Sequence, residues 1–210
     1  MHILPVTFFS RPTNDVAREL IGKLLVHELR DGERLVGRIV ETEAYTQDEP
    51  ACHAWNVVDP QTGRVKEGRR GASLYGPPGR AYVYLNYGMY WLLNVVTEPE
   101  GRGAAVLIRA VEPVEGIKYM RARRPGARSE RDLTNGPGKL VLAFGIEAHA
   151  HEAVLTAPPL YFAENGHPPG EVGASARIGI TRGRSLPWRY FEKGNSFVSP
   201  GRPSDQIRIG

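Results

Sequence analysis

Cysteine is almost absent: Cys52 is the only one in 210 residues. A single thiol excludes an intramolecular disulfide and any zinc site built from several cysteines. Long apolar runs are missing too, and nothing approaches the ~20 residues a transmembrane helix needs. The segment Met1 to Phe9 is apolar but too short and too weakly charged for a secretory signal. These absences point to a reducing, cytoplasmic setting and away from membranes. There is no internal repeat, low-complexity tract or evident linker, so residues 1–210 are read as one domain. Charge of one sign is only mildly in excess: 27 Lys and Arg against 23 Asp and Glu, a formal +4. A weakly basic balance favours an anionic partner such as nucleic acid without singling it out.

What is present reads as a mixed α/β chain. Pro12-Thr13-Asn14 followed by Val16, Ala17, Leu20, Ile21 and Leu24 predicts a capped amphipathic helix. Leu25–Leu29 and Leu35–Thr42 read as strands joined by a turn containing Asp31-Gly32. Gln47 to Gly79 is polar, irregular and basic, and reads as a long surface loop. Ala81–Asn86, Tyr90–Val96 and Ala104–Ala110 have the aromatic and β-branched content of strands. Glu112-Pro113 predicts a helix running to about Arg123, and Pro137 a second one ending near Gly145. Short strands are expected within 153–162, 174–181 and 188–198. The expectation is one α+β domain, flanking helices packed on a largely antiparallel sheet.

Several residues could carry chemistry. By strand alternation Glu41 and Glu43 share a face, and that face also carries Leu35 and Ile39. A carboxylate at a strand end beside a long loop is placed to activate water; against that, most carboxylates are structural or solvated, and both glutamates are then solvated or paired with nearby arginines. Tyr82, Tyr84, Tyr87, Tyr90 and Trp91 crowd one stretch. Such rings hold an unstacked base, or simply pack a core. Tyr87 is set apart by its bend beside Gly88, where a side chain projects outward. His149-Ala150-His151 has spacing only weakly suggestive of metal, without acidic or cysteine partners, so neither metal nor cofactor is expected. Basic runs at Arg64–Arg70 and Lys118–Arg131 are either solvated faces or phosphate contacts. Asn135-Gly136-Pro137-Gly138-Lys139-Leu140 is a Gly-rich turn into a helix, not a P-loop.

Taken together, the segments Gly37–Tyr45, Tyr82–Tyr90, Val106–Gly116, Asn135–Leu140 and Pro187–Phe191 resemble the alkyladenine (3-methyladenine) DNA glycosylase family, the mammalian type also found in many bacteria. The match runs in register from about Phe8 to Ser199, and its strength lies in the order and spacing of the segments. The resemblance implies a compact domain around a curved antiparallel sheet. It also implies a monofunctional enzyme of base excision repair, which flips alkylated or deaminated purines from double-stranded DNA and hydrolyses the N-glycosidic bond. Residue by residue, it makes Glu43 the general base and puts Arg109 beside the catalytic water. Tyr45 and Tyr84 become the walls that stack on the base. His53 is placed at the base edge, and Asn94 where guanine's exocyclic amine would crowd. Tyr87 matches the wedge that fills the vacated stack, with Met89 and Lys139 as further DNA contacts. A monomer acting through water, without a Schiff-base lysine, is implied. The sequence departs from the family after His53, across residues 56–79, and at Cys52, where a small residue is usual.

Overall fold

A computed structural model describes residues 1–66, 68–164 and 166–206; Glu67 in the long loop and the end of the 1–210 domain expectation lie outside the described residues. The chain begins with β1 (His2–Ile3), α1 (Val6–Phe9) and α2 (Thr13–Glu19), followed by β2 (Leu24–Glu28) and β3 (Arg34–Thr46). After the long loop come β4 (Ala81–Asn86), β5 (Tyr90–Val96) and β6 (Ala104–Glu115). Three helices follow: α3 (Ile117–Arg123), α4 (Arg131–Thr134) and α5 (Pro137–Phe144). The last strands are β7 (Thr156–Ala157), β8 (Leu160–Glu164), β9 (Val172–Ser175) and β10 (Arg189–Glu192). They form one ten-stranded sheet in the order β1-β8-β2-β3-β6-β5-β4, with β10 bridging β3 and β9 and β7 on β8. Every one of these pairings is antiparallel. The expected α+β architecture is therefore what the chain adopts.

The sheet buries side chains on both faces, and strand alternation sorts them. Ala81, Val83, Leu93, Val95, Val106 and Ile108 point to one side, where they meet Val16, Ala17 and Leu20 of the α2 region and Leu140, Val141 and Phe144 of α5. The intervening residues of the same strands, among them Tyr82, Val96 and Ala105, point to the other side. That second side carries the site.

Several local expectations are corrected. Leu35 and Ile39 lie on the helix-packed face, whereas Glu41 and Glu43 share the opposite one. The reason is a β-bulge: Ile39 pairs with Val111 but Glu41 with Ala110, leaving Val40 as an extra residue and reversing the alternation. Beyond it, Thr42 and Ala44 face the helices, with Thr42 Oγ1 donating to the Ala17 carbonyl at 2.7 Å. A second bulge on β6 leaves Arg109 unpaired between Ala110 and Ile108. Glu112-Pro113 opens no helix; β6 runs on to Glu115, and α3 starts only after Gly116 turns the backbone at φ +78°. Pro113 sits opposite Gly37 at a register shift, where its missing N–H is tolerated.

The stretch 47–79 is not merely a surface loop. Cys52, Ala54, Val57, Leu74 and Tyr75 fold under it onto Tyr82, Val96 and Ala105, forming a second apolar cluster. The α2 helix has Pro12, not Thr13 or Asn14, at its N-cap, and Thr13 Oγ1 turns away to Glu98. In the C-terminal part the strands are shorter than expected, and residues 177–182 are irregular.

Candidate active site

The second face holds a cavity of about 450 Å³, a size typical of small-molecule sites at about 300–1,000 Å³. Its floor comes from β3 and β6, one wall from β4 and β5, another from the loop around His53, and its rim from residues 178–182. Glu43, Tyr45, His53, Tyr84, Tyr87, Asn94 and Arg109 all line it, so seven expected site residues from five segments converge. Met89 and Lys139 are not among the lining residues. Met89 is exposed in the β4–β5 turn, and Lys139 lies on α5 with its Nζ 2.7 Å from Asn135 Oδ1.

Glu43 is fully buried at the cavity floor, and three donors hold its carboxylate. The Ile178 N–H donates to Oε1 at 2.7 Å, and the Tyr45 hydroxyl donates to Oε2 at 2.7 Å. Arg109 brings Nη1 to 3.2 Å from Oε2. Glu41 and Glu43 are both paired with arginine, and Glu43 also lines the cavity. Arg109 is buried, which disfavours its charge, but Glu43 and Glu41 override burial and push its pKa up. The phenol of Tyr45 stays protonated because burial and the adjacent Glu43 raise its pKa well above the usual value. It therefore keeps donating to Glu43 across the neutral range.

The walls are aromatic. Tyr82 and Tyr84 alternate inward from β4 and lie 5.3 Å apart by ring centroid. His53 packs edge-on against Tyr84 at 4.5 Å, and its Nδ1 lies 2.8 Å from the Tyr82 hydroxyl. Burial, with help from nearby Arg70, lowers the His53 pKa to about 4, so the ring is neutral at physiological pH. Arg70 lies over the other wall, 4.8 Å from the Tyr84 ring. Asn94 points into the cavity from β5, its Nδ2 donating to the Tyr82 carbonyl at 3.0 Å. Tyr87 stands at the mouth, 78% exposed, on a backbone held at φ +49° beside Gly88 at φ +69°. Of the remaining aromatics, Trp91 lies against the main core, whereas Tyr90 abuts Gly138 of α5 and is largely exposed.

Some contributors carry no local signal. Ile178 enters through its backbone N–H, and Arg177 beside it stacks 4.5 Å from the Tyr45 ring while pairing with Glu49 at 2.6 Å. These contacts join residues more than a hundred positions apart, so spacing alone does not show them. His151 accepts the Val83 N–H through Nδ1, which gives the HxH pair a structural use. Among the described residues no three His, Cys, Asp or Glu side chains cluster to hold a metal. Nor does any described helix have the length and apolarity to cross a membrane.

Residues 7–196 match the family described as methylpurine-DNA glycosylase. A relative from Salinibacter ruber is 57% identical over 97% of this chain and 100% of its own length. Relatives from Carboxydothermus hydrogenoformans and Methanocella arvoryzae are each 43% identical, covering 94% and 98% of this chain and 98% and 100% of their own. All three are named as 3-methyladenine DNA glycosylases.

Proposed function

The chain belongs to the methylpurine-DNA glycosylase family and is a DNA glycosylase, and from that premise we propose that it removes 3-methyladenine and other damaged purines, alkylated or deaminated, by a monofunctional, base-flipping hydrolysis. The observation that carries this reading is Glu43: a buried carboxylate, oriented by three donors, at the floor of an aromatic-walled cavity.

A purine stacked in duplex DNA presents neither its glycosidic bond nor its distinguishing edge, so the nucleotide has to leave the stack. Tyr87 is the wedge that occupies the gap, which fits its exposure at the cavity mouth. The flipped base enters between Tyr45 and Tyr84, with neutral His53 at its edge and Asn94 limiting what its exocyclic positions carry. Alkylation at N3 or N7 makes the base cationic, and a cation over tyrosine faces gains attraction. Glu43 then takes a proton from water as the water oxygen bonds to C1′. The C1′–N bond breaks, its electron pair goes to the base, and an abasic site remains. The carboxylate also stabilises the oxocarbenium-like sugar. No lysine is among the described lining residues, which supports water rather than an amine as the nucleophile. Met89 and Lys139 complete the reading as contacts to the DNA flanking the flipped nucleotide.

The test is base release from duplexes carrying one 3-methyladenine, 7-methylguanine, ethenoadenine or hypoxanthine, with strand breaks scored before and after alkali. Release with breaks only after alkali is expected. Glu43→Gln should bind lesion DNA and release nothing, while Tyr87→Ala should lose flipping and release together. Breaks without alkali would overturn the monofunctional reading, and full activity in Glu43→Gln would remove the proposed base.

A further inference from the structure

The cavity accounts for Glu43 but not for the carboxylate two residues before it. Glu41 is fully buried and does not line the cavity. Its Oε1 accepts from Arg109 Nε at 2.9 Å, Arg189 Nε at 2.6 Å and Ser199 Oγ at 2.9 Å. Its Oε2 accepts the Ser199 N–H at 2.7 Å. Arg109 reaches on to Glu43 through Nη1. The result is a chain of alternating charge, Arg189–Glu41–Arg109–Glu43, crossing β10, β3 and β6. Only its last two members touch the cavity.

Buried ion pairs are poor sources of net stability, because desolvation cancels most of their attraction. A network of four such groups, one end of it in a reaction site, therefore calls for a use beyond stability. We propose that Glu41 and Arg189 are positioning residues: by holding Arg109 through its Nε, they set how much of its charge Glu43 feels, and so how readily Glu43 accepts a proton from water. The inference rests on Glu43 being the water-activating base. Burial opposes the charge on Glu41, yet Arg109 and Arg189 outweigh it and hold the carboxyl below the usual range, so Glu41 is an anion throughout the working pH. The charged and titratable groups facing Glu43 are Tyr45 on its own strand, Arg109 from β6, and Arg189, in register with it from β10. Tyr84 from β4 and Arg177 from the segment after β9 also act on it, and Tyr82, His53 and Arg182 line the same cavity. Arg177 is already neutralised by two contacts to Glu49, at 2.6 and 2.9 Å. The Glu41–Arg189 pair is thus the control on Arg109.

The experiment is the pH–rate profile of single-turnover base release from a 7-methylguanine duplex, a lesion already cationic and needing no added acid. Glu41→Gln removes an anion beside the base and leaves Arg109 to Glu43 alone, which favours the ionised form. Its acid limb should move to lower pH by about one unit. Arg189→Gln does the reverse, and its limb should move to higher pH, while Arg189→Lys keeps the charge and should leave the limb in place. Limbs that coincide with wild type, with release slowed equally at every pH, would overturn the proposal. If Glu41→Gln does not fold by circular dichroism, the contrast between Arg189→Gln and Arg189→Lys decides alone. Absence of release by the wild type would instead strike at the proposed reaction itself.

Discussion

At the scale of single residues, the site works by burying charge and polarity that would otherwise be averaged out by water. His53 is the clearest case. Its ordinary pKa of 6.5 falls to about 4 in the fold, chiefly through burial. The unfolded chain therefore binds a proton that the folded chain refuses between these two values. By linkage, stability rises with pH across that window: the His53 contribution is fully present above pH 6.5 and is lost as pH falls to 4. The shift corresponds to roughly 3 kcal/mol. Denaturant unfolding of wild type and His53→Gln at pH 7 and pH 4 should show the difference between them changing by about that amount, with wild type losing ground in acid. An unchanged difference would mean that the ring is protonated freely in the folded state. For the reaction, the same shift means that His53 produces no titration step near neutrality.

At the scale of elements, the site depends on interruptions of regular structure. Two bulges, at Val40 on β3 and Arg109 on β6, turn Glu41 and Glu43 away from the helices and bring Arg109 to them. Bulges commonly re-aim side chains beside active sites. The loop 47–79 depends on a close backbone approach in the same way. Gly71 sits at φ +89°, and a Cβ there would lie 2.3 Å from the His53 carbonyl oxygen. That contact carries the His53 segment to the cavity wall, and no side chain fits in the space. Gly71→Ala should cost at least about 2 kcal/mol in unfolding and weaken lesion binding, because both the left-handed backbone and the clash are unfavourable. Gly63, at φ +67° with no atom near its Cβ direction, is the control; Gly63→Ala should cost only about 1 kcal/mol and leave binding intact. Equal effects of the two substitutions would show that the contact with His53 does not place the wall.

At the scale of the whole molecule, the chain carries a modest formal charge of +4. Part of the basic surface is committed internally: Lys118 pairs with Glu33 at 3.2 Å and Arg70 lies over Tyr84. Binding to a duplex should weaken as salt rises, with a log–log slope near −0.9 for each phosphate neutralised. Lys139, its side chain 38% exposed, donates to Asn135 at 2.7 Å and lies 3.8 Å from Asp132, contacts that a phosphate can replace. Lys139→Ala should reduce the magnitude of that slope by about one and weaken binding to lesion and undamaged duplex alike. An unchanged slope would take Lys139 out of the DNA interface.

The order and spacing of segments from Phe8 to Ser199 determined the family, and with it the residues that meet in the cavity. The α+β class and the helix from Pro137 to the left-handed Gly145 were legible as well, because periodicity, Pro and Gly act locally. Strand alternation correctly placed Glu41 and Glu43 on one face, and it failed to say which face, since a bulge of one residue inverts the pattern without a distinctive sequence. The apolar residues hidden in the loop 47–79 have no period, so only their packing on β4–β6 reveals a second core. The network around Glu41 and Glu43 was decided by tertiary structure alone. Arg189, Ser199 and the Ile178 N–H come from segments 135 to 158 residues away, and the water-poor interior in which those contacts form exists only after the chain has closed over them.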